Sequence, residues 1–327
     1  MESTQPTRAE AMPRARPGSV AILFTGLVVV MLGFGMIIPV MPFYVESMGA
    51  SGRELGLLMA TFATMQLLFS PLWGDLSDRI GRRPVLMLGL FGNAVAQLFF
   101  GLSTRLWMLF AARALSGILS SATQPTALAY ISDSTSDEER SRGMGLMGAA
   151  MGVGMVLGPG LGGWLASYSL SLPFFVAAGL STLVLILAAL VLPESLPEAQ
   201  RSGHTGRLQG LNLRLMGESL RGPLGYLYFL SFLLSFGLTN FEGVFGLYAL
   251  ERYGYGPDQV GLVLTSVGVV SAVVQGLLTG PVTKRWGEGR VIQGSLLASA
   301  AGFVLMLTAA DLTTVLVTTS LFVMGNA

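Results

Sequence analysis

The chain has no cysteine among its 327 residues and only one histidine. Without cysteine there is no disulfide framework, no thiol nucleophile and no thiolate metal site. His204 falls in a polar segment, where a solvated side chain is commoner than a ligand. Charge is also scarce: Asp, Glu, Lys and Arg make up 11% of the chain, against about 25% in ordinary soluble domains. The net charge is +1, with no basic patch outside the polar intervals, so no nucleic-acid partner is expected. No glycine-rich loop of the nucleotide-binding type occurs, so ATP is not expected to be the energy source. No nucleophile, carboxylate pair or metal-ligand cluster is assembled, and no enzyme is expected.

What the chain does have is apolar length. Hydrophobic residues make up 52% and glycines number 43, more apolar surface than a soluble core absorbs. A bundle of helices in lipid accommodates it, and glycine lets such helices approach closely. The segment Gly74–Pro84 (GDLSDRIGRRP) reads as a short charged loop between two uncharged runs, Leu55–Trp73 and Val85–Leu102. Runs of about 18 or more apolar residues cross a bilayer as helices. Nine full windows and part of a tenth qualify: 19–45, 54–73, 84–103, 106–132, 143–166, 171–192, 224–250, 258–282, 290–310 and 313–327. The first is too long for a signal-peptide core and has no convincing cleavage site, so it reads as an uncleaved span. Of the nineteen Lys and Arg residues, fifteen lie in intervals on one side, three on the other, and Arg113 lies within a span. The positive-inside rule then puts the amino terminus in the cytoplasm of a multi-pass protein of the cell membrane.

The interval Pro193–Gly222 reads as a polar linker between two halves. The expected divisions are a tail (1–18), a six-helix bundle (19–192), the linker (193–223) and a partial second bundle (224–327). An internal repeat supports this. Tyr44–Gly49 resembles Ala249–Gly254 at an offset of 205 residues, and Gly74…Gly81 resembles Gly280…Gly287 at 206. Parallel repeats mark transporters whose halves flank a central site. The second half is short by about two helices and stops inside apolar sequence at Gly325-Asn326-Ala327, so a truncated chain is expected, unstable or inactive alone.

Four signatures then resemble the major facilitator superfamily, in particular its twelve-helix drug:proton antiporter branch of multidrug and tetracycline-type efflux transporters. Gly74-Asp-Leu-Ser-Asp78-Arg79-Ile-Gly81-Arg82-Arg83 resembles that family's loop 2–3 motif, and Arg113-Ala-Leu-Ser-Gly117 its R-x-x-x-G motif in span four. Gly154…Gly158-Pro159…Gly162-Gly163 resembles the antiporter motif of span five. Leu32-Gly33…Pro39…Pro42 resembles the pattern of span one. The resemblance covers residues 19–327 and weakens in the second loop motif, where Pro281 and Lys284 stand in place of Asp75 and Asp78. It implies an all-α fold of two six-helix bundles around a cavity, the second incomplete here after about ten helices. It also implies proton-coupled export of small amphipathic compounds. The implied partners are lipid bilayer, small-molecule substrate and protons, for a monomer with no cofactor beyond the proton gradient. Proton-linked transport of a sugar or metabolite, and a non-transporting membrane sensor or scaffold, are the competing readings.

The residues also carry physical expectations. Gly81 permits a tight reversal. Asp78 can pair with Arg79, Arg82 or Arg142, and Asp133 is a further partner for the arginines. Such a network could hold the halves shut at one mouth, or simply anchor the loop. Gly154, Gly158 and Gly162 form one smooth helix face, while Pro159 invites a bend. Arg113 and Glu242 are the two intramembrane charges, each costly at that depth. Both fall roughly 7–9 Å to the outer side of the membrane centre by helical rise. That leaves a structural ion pair and a proton-coupling role both open. Arg113, Gly117, Ser120 and Gln124 follow helical spacing along one face. Asn240, Phe241 and Phe245 surround Glu242 in a pattern suited to greasy cations, although core packing is commoner for any single phenylalanine. Single cysteines test the topology. One at Arg53 is expected to react with an impermeant maleimide in intact cells, and one at Ile80 only after permeabilisation. Labelling at Ile80 from outside would invert the assignment.

Overall fold

The computed structural model describes residues 17–198, 201, 210 and 213–325. His204, the tail before Pro17 and part of the 193–223 interval lie outside the described residues. Helices account for all the regular structure described: α1 (Pro17–Ser47), α2 (Gly52–Ile80), α3 (Arg82–Gly101), α4 (Leu106–Leu119), α5 (Thr123–Ser134), α6 (Asp137–Ala166) and α7 (Leu172–Val191). There follow α8 (Leu213–Arg221), α9 (Gly225–Tyr253), α10 (Pro257–Val273), α11 (Thr279–Trp286), α12 (Glu288–Met306) and α13 (Leu312–Met324). Among the described residues nine segments are long and apolar enough to cross a membrane, and α13 is a shorter apolar helix. They match the expected spans in order.

Two spans are interrupted, each for an identifiable reason. Between α4 and α5 the residues Ser120–Ala122 form a 3₁₀ turn. Pro125 lacks the amide that would bond the Ser121 carbonyl, and the turn tightens just before it. The Trp73 indole N–H and the Ser121 hydroxyl both donate to the Ile118 carbonyl at this break. Between α10 and α11, Val274–Leu278 form a π turn shortly before Pro281, and the Thr279 hydroxyl donates to the Val274 carbonyl at 3.0 Å. By contrast α6 runs unbroken through Pro159.

One sequence expectation needs correction. Gly74–Ile80 is not a loop: α2 continues to Ile80 and α3 starts at Arg82, leaving Gly81 alone between them. The extension holds because Asp75 and Arg79 stand four residues apart and pair at 2.7 Å along the helix. Within the linker interval Leu213–Arg221 form α8, with Arg214 and Glu218 paired at 2.9 Å.

Among the described residues four glycines have positive φ: Gly49 (72°), Gly81 (109°), Gly254 (69°) and Gly287 (80°). They are two repeat-related pairs. Gly49 and Gly254 end the first span of each half, and Gly81 and Gly287 make the turns between the second and third spans. A Cβ is disfavoured in this backbone region, so the repeat visible in sequence is a repeat of turn geometry.

Helix α6 lies between α1 and α10. Its Gly154, Gly158 and Gly162 face α1: a Cβ at Gly158 would stand 2.7 Å from the Gly35 Cα, and one at Gly162 2.6 Å from the Met36 carbonyl oxygen. A second face meets α10. A Cβ at Gly261 would stand 2.5 Å from the Pro159 carbonyl and 3.0 Å from the Gly163 Cα, and one at Gly160 2.7 Å from the Thr265 hydroxyl. Backbones therefore touch where the two halves meet. These contacts, with Gly246 against Pro42 and Gly52 against Leu247, cluster toward the end remote from the linker. The Gly158→Ala substitution forces overpacking, and a loss of about 1–3 kcal/mol is expected. Gly152→Ala, with nothing within 4 Å of the new methyl, is expected to leave thermal unfolding in detergent unchanged. Equal melting temperatures for the two variants would contradict this packing.

Candidate functional site

The charged turn at the linker face is built on Arg82, whose side chain is 10% exposed. Its Nε donates to an Asp133 carboxylate oxygen at 2.8 Å, and its Nη1 donates to Ser77 Oγ at 2.6 Å and pairs with Asp78. Asp78 is half exposed, at 49%, and Asp133 less so, at 28%. Glu194 holds the turn from below. Its carboxylate accepts from the amides of Arg82 (2.8 Å), Arg83 (3.2 Å), Ser195 (3.0 Å) and Leu196 (3.1 Å). It therefore caps the amino terminus of α3, where an anion is favoured. A Cβ at Gly81 would overlap this carboxylate. Arg83 donates to the Ala189 carbonyl at 2.7 Å, and the Tyr130 hydroxyl to that of Pro193 at 2.9 Å.

Of the expected residues, Gly81, Arg82, Arg83, Asp78 and Asp133 thus come together, with Arg79 one turn away on Asp75. Gly74 stands in open space, with nothing within 4 Å of a Cβ there. These ion pairs and caps join α2, α3, α5 and the end of α7, all in the first half. As arranged here, they brace one bundle. Sequence reasoning missed Glu194, although an acid directly after an apolar span was a usable signal.

Two chambers lie deeper. One of about 170 Å³, inside the first half, is lined by Phe34, Phe62, Asn93, Gln97, Ser120 and Gln124 among others. Asn93 donates to Ser181 Oγ at 2.8 Å and accepts from Ser120 at 3.4 Å. A second, of about 280 Å³, lies between the halves and is lined by Ile38, Met155, Pro159, Leu238, Glu242 and Gln275 among others. Met155 lines both. Ser120 and Gln124 face the first chamber as their helical spacing implied. Gly117 of the same stripe packs instead on the α2 backbone, where a Cβ would stand 2.6 Å from the Phe62 carbonyl oxygen.

Arg113 is 1% exposed and sits within the first half. Its guanidinium lies 5.5 Å from the centre of the Phe62 ring and 5.6 Å from that of Phe100, and Nη2 reaches Met59 Sδ at 3.3 Å. Its Nε and Nη1 have no hydrogen-bond partner among the described residues. Two ring faces at this distance, each worth up to about 2 kcal/mol when desolvated, offset an insertion cost of roughly 2.5–3.5 kcal/mol. No ion pair joins Arg113 to Glu242 among the described residues. Equal depth does not bring them together, because Arg113 points into the first bundle and Glu242 lines the space between bundles.

The other expected cavity residues lie elsewhere. Phe241 and Phe245 are buried in a cluster with Val263 and Phe322, the Phe241 ring 5.0 Å from Phe245 and 5.2 Å from Phe322. Asn240 is exposed and donates to the Phe236 carbonyl of its own helix at 2.8 Å. Residues flanking Glu242 in sequence point away from its face, because neighbours along a helix are about 100° apart. Sequence reasoning also passed over Gln66, Asn93 and Gln97, carboxamides inside apolar runs, because it looked there only for charges.

The stability of the charged turn is testable. Asp133→Asn leaves a nearly buried arginine short of a carboxylate, and a loss of about 1–3 kcal/mol is expected. Asp78→Asn removes a half-exposed pair, and about 0–1 kcal/mol is expected. Chemical unfolding of the two purified variants checks the order, and a larger loss from Asp78→Asn would refute it.

Residues 23–327 match the family described as the Major Facilitator Superfamily. Multidrug resistance protein 2 of Bacillus subtilis (strain 168) is 34% identical over 309 residues, covering 92% of this chain and 76% of the relative. Tetracycline resistance protein, class G, of Vibrio anguillarum is 34% identical over 290 residues, covering 88% and 73%. Among solved structures, a bacterial homologue of the human lysosomal transporter Spinster, in an inward-facing and unoccupied conformation, superposes with a TM-score of 0.72. It is 18% identical, over 95% of this chain and 73% of that one, so this likeness is one of fold.

Proposed function

The chain belongs to the major facilitator superfamily, and is thus a multi-pass membrane protein that handles small molecules; from this premise we propose that it is a secondary active transporter exporting small amphipathic compounds, drugs among them, in exchange for protons. The observation that carries the reading is Glu242. It is the one ionisable residue among those lining the chamber between the halves, whose other walls are mostly apolar. A carboxylate there attracts a cationic substrate and also accepts a proton, and one acid cannot hold both at full strength. Competition of that kind is what exchange requires. The relatives named for multidrug and tetracycline resistance support the substrate class.

In this reading the linker face is cytoplasmic, as is the amino terminus, and the membrane is the plasma membrane; the excess of Lys and Arg on that side supports it. The glycine contacts then close the outer end, and the chamber holding Glu242 faces inward. Arg113 acts from within the first bundle, setting the field around the chambers. The carrier works as a monomer, with the proton gradient as its energy source and no cofactor.

Proton release on substrate binding provides the test. Purified protein in weakly buffered detergent solution is expected to release protons on addition of a lipophilic cation such as ethidium. Glu242→Gln is expected to bring that release to background. If the variant releases protons as the parent does, the coupling acid lies elsewhere.

A further inference from the structure

The two chambers differ in chemistry, and neither is large enough alone. Pockets for drug-sized ligands span about 300–1,000 Å³. The chambers measure about 170 Å³ and 280 Å³, so each falls short, while the pair, which shares Met155 as a wall, reaches that range. A larger cavity of about 650 Å³ lies within the second half, lined by Leu227, Trp286, Glu288 and Arg290 among others, but Glu242 does not line it. A drug-sized ligand with its cation on Glu242 therefore extends past Met155 into the first chamber.

The first chamber is lined by no charged side chain, but four carboxamides reach it: Gln66 from α2, Asn93 and Gln97 from α3, and Gln124 from α5. Gln97 is 2% exposed, and its Oε1 has no hydrogen-bond partner among the described residues. An unsatisfied buried amide oxygen carries a desolvation cost that a donor from a ligand would relieve. One wall also conceals a cation. Phe62 lines the chamber while its ring holds the Arg113 guanidinium at 5.5 Å. In a low-dielectric interior that charge opposes a second cation nearby. In the second chamber the charged lining residue is Glu242. The electrostatic gradient thus runs from a buried cation behind the first chamber to an acid in the second.

We propose that the transported ligand lies across both chambers: its one cationic end on Glu242, and an uncharged aromatic end bearing hydrogen-bonding groups among the carboxamides of the first. The substrate class is an elongated monocation with an amide-like or carbonyl-bearing ring at the far end. Compounds with a second positive charge there are rejected by Arg113. This deepens the export reading and rests on it.

Three probes built on the same six-carbon chain separate the parts: (6-benzamidohexyl)trimethylammonium, (6-phenylhexyl)trimethylammonium and the dication hexamethonium. Binding to the full chain in lipid nanodiscs is measured by calorimetry. The benzamide is expected to bind about three- to tenfold more tightly than the phenyl compound, the worth of one or two hydrogen bonds. Hexamethonium is expected to bind more weakly than either. Gln124→Leu and Gln97→Leu are expected to abolish the benzamide's advantage while sparing the phenyl compound, and Glu242→Gln to weaken both monocations alike. The probe series on the unaltered chain stands even if a variant fails to fold. Hexamethonium binding as tightly as the benzamide, or a benzamide advantage that is absent or survives both glutamine substitutions, overturns the two-chamber assignment while leaving export intact. If the parent binds none of the three, the export reading fails and this one fails with it.

Discussion

The whole arrangement depends on how closely α6 can approach its two neighbours. Gly154, Gly158 and Gly162 let α1 lie against its backbone, while Gly163 and the Pro159 carbonyl meet Gly261 of α10. In lipid there is little hydrophobic gain from bringing helices together, so contact of this kind rests on packing and small residues. One helix thereby joins the first half internally and also forms the seam with the second. Met155, on the same helix, lines both chambers. A displacement of α6 would alter the seam and both chambers together, and this couples binding to any rearrangement of the halves.

Charge is distributed by a second rule. At the linker face, where water is available, arginines meet acids and backbone amides, and Arg82 with Asp133 and Glu194 brace α2, α3, α5 and the end of α7. Inside the bundle no such pairing is seen among the described residues. Arg113 is stabilised by two aromatic faces and a thioether, and Glu242 borders the space between the halves. Joining the two in one pair would neutralise the field across the chambers. Keeping them apart preserves it at a cost the rings partly offset.

The spans, their order and the repeat were legible in the sequence, because an apolar run of membrane length has few other uses and the glycines at 49, 81, 254 and 287 recur at a near-constant offset. The glycine face of α6 was legible from its four-residue spacing, and so was Asp133 as a partner for the arginines. Three things were not. The helical extension through Gly74–Ile80 was hidden because polar residues in a helix outside the membrane resemble a loop. The direction of Asn240 and Phe241 could not follow from their nearness to Glu242, since residues one and two apart point to different sides of a helix; Phe245, three residues on, is taken up by the cluster that holds Phe322. The chamber of carboxamides joins residues from α2, α3 and α5, and only tertiary packing brings these together.

The repeat also shows what differs between the halves. The turns at Gly81 and Gly287 have similar backbone angles, with ψ of 159° and 151°. Around Gly81, however, the Glu194 carboxylate leaves no room for a side chain, whereas a Cβ at Gly287 would meet nothing within 4 Å. Asp75 and Asp78 of the first turn are replaced by Pro281 and Lys284 in the second, and Pro281 follows a π turn in its span. The backbone requirement for glycine therefore persists in both halves, but the acids that brace the first turn are gone from the second. The first bundle is thus cross-braced by ion pairs at its linker face, while the corresponding span of the second carries a π turn at Val274–Leu278 and no such brace among the described residues.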